Sequence, residues 1–501
     1  MSGGSMQFSV LVGLLCLAIA SFSSSVGSSN NTFMCLESER LALLQFKLGL
    51  QSFYTYNALA TWESTKDCCD WRGIACNNHT GHVITLDLSY NFLRGEIHPS
   101  LLELRYLEYL DLSFNDFGGM MIPVFIGSLS QLKELKLGRA NFSGHVPPQL
   151  GNLSNLHTLD LSHNENVSSE NVEWLSHLSS LRYLTWVNLS EAVNWSQSLS
   201  KLTSLRELNL ALCNLPDVNL SSLSFINFST SLQFLDLSNN NLNSTSIFYW
   251  IANVSTNYVH IYLSYNKIGG PLPDVFTNML SLVTLDLSFN QLEGGIPKGF
   301  QNLCSLQWLS LCENQCSGNI EDSIKALSCS KNALESLDLR NNQFWGSLPE
   351  LTGFSKLREL LLSSNNITGS LPESVGTLSS LEELDVSMNS MTGVIRESHL
   401  RDLSRLQSLK LSGNGFYINL SSHWDPPFQL TSSLALSSCK LGPAFPTWIL
   451  KQTNITELHL SNAGISGSLP NAVKLVVKYK IGRQASSRNI KVIKEINLFI
   501  S

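Results

Sequence analysis

The chain has 501 residues, a formal net charge of −7, 43% hydrophobic residues and only 14% charged ones. So few charges exclude a highly charged disordered protein, and an acidic balance argues against nucleic acid as a partner, because phosphate contacts need clustered Lys and Arg. Length alone suggests about three globular domains, a prior that the repeats below override.

Residues 1–29 read as a signal peptide. Phe8–Ala20 is a mostly apolar run of thirteen residues with small residues after it. It is too short to cross a bilayer, which takes about 20 residues, and has the length of a secretory core. No Lys or Arg precedes it, so the amino terminus supplies the positive end. No later stretch reaches the length of a membrane span, and the chain as written is expected to be secreted or luminal.

Residues 30–82 read as an N-terminal cap. A helix is expected over Glu37–Leu50, with Leu41, Leu44 and Leu48 at helical spacing and Gly49 as its stop. Of eleven cysteines, Cys16 falls in the signal, and an even ten remain. That count in a secretory chain invites disulfides. Adjacent Cys68 and Cys69 would be strained if joined, so each takes its own partner. Cys35–Cys68 with Cys69–Cys76, or Cys35–Cys69 with Cys68–Cys76, both satisfy this. Such a block would cover the leucine face of the first repeat, which has no neighbour on that side.

Residues 83–470 repeat L-x-x-L-x-L-x-x-N sixteen times, as in Leu282-Val-Thr-Leu285-Asp-Leu287-Ser-Phe-Asn290. Units begin at 83, 107, 132, 156, 181, 205, 232, 258, 282, 306, 334, 357, 381, 406, 431 and 455, mostly 24 or 25 apart. This is the signature of a leucine-rich-repeat solenoid, an α/β superhelix with a parallel sheet on its concave face. A solenoid offers a long surface and little enclosed space, which favours binding over catalysis. Counting the first leucine as offset 0, offsets 0, 3 and 5 should point inward. Offset 8 is Asn in eleven of sixteen units, expected as a buried ladder that satisfies backbone groups where each coil leaves the sheet. Ala140 and Leu189 replace it poorly, so their coils, the third and fifth, should be irregular.

Cys304 and Cys329 lie one repeat apart, on the backs of adjacent coils, and the strand spacing of about 4.8 Å suits a bridge. Cys312 and Cys316 share one coil, and Cys316 sits where other repeats bury leucine. Cys213 and Cys439 occupy the Asn position and read as small buried thiols. No C-x2-C pair or His cluster supports a metal site, and no cofactor is expected. Fourteen N-x-S/T sequons occur, at Asn30, Asn78, Asn141, Asn152, Asn166, Asn188, Asn194, Asn219, Asn227, Asn243, Asn253, Asn366, Asn419 and Asn454. In a secretory chain they predict glycosylation.

Offsets 1, 2, 4, 6 and 7 should project from the sheet. Aspartate recurs at offset 4 as part of L-D-L-S and reads as generic. Tyr183, Phe234, His260 and Trp308 at offset 2, with Tyr262 and Tyr265 nearby, are candidate anchors for a protein or peptide ligand. No hydrolase, metalloprotease, nucleotide or kinase motif is present, so no catalytic residue is assigned and the chain reads as no enzyme.

After the Asn comes L-x-G-x-I/L-P, as in Ile367-Thr-Gly-Ser-Leu-Pro and Leu292-Glu-Gly-Gly-Ile-Pro. This element resembles the plant-specific class of leucine-rich repeats. Glu39-Arg-Leu-Ala-Leu-Leu-Gln-Phe-Lys47 and Asp67-Cys-Cys-Asp-Trp-Arg-Gly-Ile-Ala-Cys76 look like the matching plant N-terminal cap. With Trp424-Asp-Pro-Pro-Phe428 and Ser437-Ser-Cys-Lys-Leu-Gly-Pro-Ala-Phe-Pro-Thr-Trp448, residues 35–470 resemble plant receptor-like proteins, near the group of ethylene-inducing-xylanase receptors. The resemblance implies a ligand-recognition ectodomain at the outer face of the plasma membrane, acting in elicitor perception and defence through partner receptor kinases. The runner-up is a secreted inhibitor of microbial cell-wall-degrading enzymes, similar to polygalacturonase inhibitors.

Residues 471–501 break the pattern mid-repeat and carry a charge of +6, leaving −13 for the rest. They read as a solvated basic tail. The break is read as a C-terminal truncation relative to the family, which would leave this chain soluble in the apoplast.

Overall fold

The computed structural model describes residues 34–52, 58–185, 187–219 and 231–466. The signal-peptide and tail readings, and the sequons at Asn30 and Asn227, lie outside them.

The leucines set the architecture. Leu282, Leu285 and Leu287 are completely buried, as are most of their counterparts among the described residues, while Leu458 and Leu460 of the last coil are half-buried. Burying one such side chain is worth about 1.5–3 kcal/mol, and the line of them forms one continuous core. Between them, three-residue strands pair in parallel with their equivalents one coil away, for example Thr284 with Trp308, Leu285 with Leu309 and Asp286 with Ser310. Such pairings run linearly through sixteen strands, from Val83–Asp87 to Glu457–His459. The cap adds Ile74–Cys76 antiparallel to the first of them. Side chains alternate along a strand, so offset 3 enters the core while offsets 2 and 4 leave it.

The chain leaves the sheet through a turn that the leucine pattern does not announce. The offset-7 residue has positive φ in fifteen of the sixteen coils, the exception being Asn188. Bulky residues such as Phe114 (φ 54°), Phe289 (φ 53°) and Met388 (φ 53°) adopt it, although this region favours glycine. The conformation lets Phe289 N–H reach the Cys312 carbonyl of the next coil at 2.9 Å, while Asn290 turns inward. The Asn290 amide then donates to the carbonyls of Leu263, Leu287 and Ser288, and its oxygen accepts the Ile268 N–H at 3.1 Å. Each Asn thus bonds its own coil and the one before it.

That sharing corrects one expectation. The coil of Ala140 is regular: Arg139 keeps φ 52°, and the Leu137 carbonyl receives the Asn164 amide of the following coil at 2.9 Å. The coil of Leu189 does depart from the pattern, and the next coil also lacks an Asn, having Cys213. The gap at Ala140 is covered by its neighbour Asn164, whereas the coil of Leu189 is followed by one that offers no such amide.

Beyond the Asn, the L-x-G-x-I/L-P segments form a second, interrupted parallel ribbon, including Gly269–Pro271 with Gln291–Gly294 and Trp345–Ser347 with Asn366–Thr368. The prolines then begin short 3-10 turns on the back, as Pro297 does for Lys298–Asn302 and Pro372 for Glu373–Thr377. Helices Trp195–Leu199, Ser246–Val254 and Ile320–Ala326 replace such turns. The first two bury Trp195 and Trp250 against each other, with ring centroids 5.0 Å apart.

In the cap, the helix spans Glu37–Leu48, with Gly49 as its C-cap. Its inner face is Glu39, Ala42, Leu43 and Phe46, whereas Leu41 and Leu48 are 53% and 79% exposed. Of the leucines at helical spacing only Leu44 packs against the core, and the helix ends at Leu48 instead of Leu50, which begins the strand Leu50–Ser52. Polar Glu39 and Arg40 take inner places because partners outside the helix satisfy them: Val83 N–H and His82 for Glu39, and the Ser64 carbonyl for Arg40. Cys35 pairs with Cys68 and Cys69 with Cys76, with Cα separations of 5.7 and 5.5 Å. Cys304 pairs with Cys329 at 4.6 Å between Cα atoms. Cys213, Cys312, Cys316 and Cys439 are free and buried. Among the described residues no helix is long and apolar enough to cross a membrane.

Candidate functional site

The sheet sets one outward residue per coil in each row. At offset 2, Tyr183 is in register with Glu207, then Phe234, His260, Thr284 and Trp308. Neighbouring strands lie about 4.8 Å apart, so this row spans six coils as a strip. Tyr262 stands in the offset-4 row, opposite Asp236 and Asp286.

The structure gathers three of the five candidates. Phe234 lies 6.2 Å from His260 and 5.6 Å from Tyr262 by ring centroid, and the His260 and Tyr262 rings are nearly coplanar in orientation at 6.5 Å. His260 Nδ1 is 3.0 Å from Thr284 Oγ1, which holds the ring over the sheet. Tyr183 and Trp308 stand apart, separated from this cluster by Glu207 and Thr284. They are the more open pair, 37% and 42% exposed, while the central three are half-buried. Tyr265 belongs to a different set: at the left-handed position it stacks on Phe289, centroids 4.1 Å apart.

Tyr109 occupies the same row in the second coil and is an aromatic that the sequence candidates omit. Its hydroxyl donates to Asp111 at 3.0 Å and accepts from Lys136 at 3.3 Å. Burial pushes its phenol up, an effect the Lys136 ammonium partly offsets. Its offset was the available signal; a tyrosine with both lone pair and proton engaged is a poorer anchor than the exposed Trp308.

The face is charged on both sides of the aromatic strip, with Lys133 on Glu108 at 2.7 Å in the N-terminal coils and further pairs in the C-terminal ones. Arg358 binds Glu382 with Nε at 2.9 Å, Lys410 meets Glu383 at 2.6 Å, and Ser336 donates to Glu359 at 2.7 Å. The Asp338 carboxylate raises the Arg340 guanidinium above its usual pKa by bonding it twice. The offset-4 aspartates are structural. Asp286 accepts both the N–H and the hydroxyl of Ser288, and Asp87, Asp111, Asp160, Asp236 and Asp385 do the same with their own serines. In each case one carboxylate oxygen, Oδ1, takes both bonds and so helps fix the turn.

The sequons occupy other surfaces. Among the described residues, Asn78, Asn141, Asn152, Asn166, Asn219, Asn243, Asn253, Asn366, Asn419 and Asn454 are exposed, and Asn188 and Asn194 are half-buried. None stands at offsets 1, 2, 4 or 6, and only Asn188 stands at offset 7. Among the described residues, the one group with metal-ligand geometry is Cys35, Asp67, Cys68 and Cys69. Its sulfurs are committed to disulfides, and Asp67 accepts the Cys35 and Cys69 N–H groups at 3.2 and 3.0 Å.

Known proteins share this design. The leucine rich repeat N-terminal domain profile matches residues 36–77, and leucine rich repeat profiles match 103–119, 231–254, 257–316, 333–354 and 355–416. Receptor-like protein EIX1 of Solanum lycopersicum is 39% identical over 91% of this chain and 53% of its own length; receptor-like protein EIX2 of the same plant is 38% identical over 88% and 51%. The chain spans about half the length of these curated relatives. The crystal structure of PEPR1-AtPEP1 superposes with a TM-score of 0.71 at 26% identity, covering 88% of this chain and 64% of that one. The Arabidopsis receptor kinase HAESA, solved with the peptide hormone IDA and the co-receptor SERK1, superposes at 0.54 with 24% identity, over 88% of this chain and 92% of that one, and shares the fold.

Proposed function

Since this chain is a leucine-rich-repeat protein of the plant receptor-like kind, we propose that its sheet face is the recognition surface of an extracellular ectodomain. Its ligand is a protein or peptide, an elicitor or an endogenous signal, and recognition feeds defence signalling through partner receptor kinases. Tyr183, Phe234, His260, Tyr262 and Trp308 are the anchors. The single observation that carries the reading is the segregation of sequons from the outward rows: glycans would cover the flanks and back while this strip stays bare. Binding is its work, and the recurring carboxylates serve the turns and pair with neighbouring cations.

The test is binding of an ethylene-inducing xylanase, the elicitor after which the similar receptor group is called, to chain secreted from plant cells. The double variant Tyr262→Ala, Trp308→Ala should be secreted normally and lose most of its affinity. Wild-type affinity in that variant would remove these residues from the site. Inhibition of a polygalacturonase by the chain would instead select the inhibitor reading.

A further inference from the structure

Three of the exposed aromatic residues off the sheet face each stand beside a sequon asparagine. Trp345 is 52% exposed and is in register with Asn366 across the parallel pair Trp345–Ser347 and Asn366–Thr368. The inward-facing Ile367 is fully buried, so its neighbours Asn366 and Thr368 both point outward on the side that Trp345 occupies. Tyr249, 46% exposed, precedes exposed Asn253 by four residues within the helix Ser246–Val254. Tyr417, also 46% exposed, precedes exposed Asn419 by two residues at the end of the strand Gly415–Ile418. The Asn419 N–H still bonds the Ile395 carbonyl at 2.9 Å, so the extended run continues through it.

These are three separate routes to one juxtaposition. Parallel register puts residues about 4.8 Å apart, an i,i+4 helix pair puts Cβ atoms about 5–6 Å apart, and two strand steps span roughly 6.6 Å. At each of these separations the asparagine and the aromatic ring are side-chain neighbours, so a sugar on the amide can lie over the ring. A pyranose has one face lined by C–H groups, and an aromatic face carries negative charge that attracts such hydrogens. A large apolar ring left in water is therefore given a cover of the right chemistry.

We propose that Trp345, Tyr249 and Tyr417 are seats for the first N-acetylglucosamine of N-linked glycans on Asn366, Asn253 and Asn419. These three rings are then covered by the chain's own sugars, whereas those on the sheet rows await a ligand. The inference rests on passage through the secretory pathway, which the proposed function also requires, but not on any ligand.

Residue-resolved hydroxyl-radical footprinting of the full chain secreted from plant cells tests it, with glycopeptide mass spectrometry at the three asparagines. Trp345 should be oxidised several-fold more slowly in the wild type than in Asn366→Gln. Thr368→Ala, which removes the same sequon by another route, should match Asn366→Gln. Protection should survive trimming to a single N-acetylglucosamine and disappear on complete deglycosylation. Asn253→Gln should expose Tyr249, and Asn419→Gln Tyr417, each without altering Trp345. Equal oxidation of Trp345 in wild type and both sequon variants overturns the proposal, as does an unoccupied Asn366. Loss of xylanase binding with protection intact would count against the proposed function and leave this inference standing.

Discussion

Glu39 of the cap helix accepts the backbone N–H of Val83, the first residue of the sheet, at 2.7 Å, and its other oxygen lies 2.8 Å from His82 Nδ1. The carboxylate is 3% exposed. The cap therefore closes the first coil with a polar clasp as well as an apolar lid. Glu39→Leu would leave a buried N–H unpaired, at a cost of about 1–3 kcal/mol. Amide exchange at Val83 should accelerate while exchange in the central coils stays unchanged. Glu39→Gln retains an acceptor and should lose less.

The asparagine ladder predicts a non-additive pair. The Leu287 carbonyl receives Nδ2 of Asn290 at 3.1 Å and Nδ2 of Asn314, one coil on, at 3.0 Å. Asn290→Ala or Asn314→Ala alone leaves that carbonyl one donor. The double variant leaves none, and its destabilisation should exceed the sum of the singles by about 0.5–3 kcal/mol, the range for residues sharing a partner. Denaturant unfolding of the four proteins measures the coupling. Additivity would show that the shared carbonyl is not what links adjacent coils.

Adjacent residues on one strand should behave in opposite ways. Leu309 is 1% exposed and Trp308 is 42% exposed. Leu309→Ala should cost about 2–5 kcal/mol and reduce secretion. Trp308→Ala should change stability by no more than about 0.5 kcal/mol. Thermal unfolding separates them, and a large loss in Trp308→Ala would mean its ring supports the fold.

The free thiols should be silent. Burial pushes Cys213, Cys316 and Cys439 up to about 12 and Cys312 to about 11, from an ordinary value of 9.0. Thiolate is the reactive form, so a neutral alkylating reagent should label none of the four at pH 8 in the native protein and all four after unreduced denaturation. The sign of the pH effect follows. The folded state resists ionisation that the unfolded state allows, so these groups favour folding below pH 9 and lose that contribution as pH rises towards about 12. Unfolding midpoints measured from pH 7 to 11 should fall above pH 9, and less so in Cys213→Ala.

Most of the coil was legible because each inward position obeys one local rule repeated many times. The leucines at offsets 0, 3 and 5 and the asparagine at offset 8 need no distant information. The failures fall where a partner lies outside the local pattern. Glu39 and Arg40 displace Leu41 and Leu48 from the inner face of the cap helix through contacts with His82, Val83 and Ser64. Ala140 is tolerated because Asn164 serves its coil. The left-handed position at offset 7 escapes notice because Phe, Tyr, Met and Arg fill it in several coils, even though Asn239, Asn341 and Gly413, which favour positive φ, fill it in others. In the candidate strip the row membership of Tyr183, Phe234, His260 and Trp308 followed from offsets. The clustering of Phe234 with His260 and Tyr262 required the register between rows as well.

One-to-one register along the sheet has a consequence for how such a surface changes. Offset-2 side chains such as Tyr183 and Trp308 share no turn duty with the aspartates and asparagines of their coils. Each can be exchanged like one letter in a line of type, without resetting its neighbours. Blocks of whole coils can be transplanted between relatives in the same way, provided every asparagine keeps a successor to share its carbonyl. A chimera carrying the coils of Tyr183 to Trp308 should therefore move recognition as a portable word, with the rest of the solenoid serving as the page.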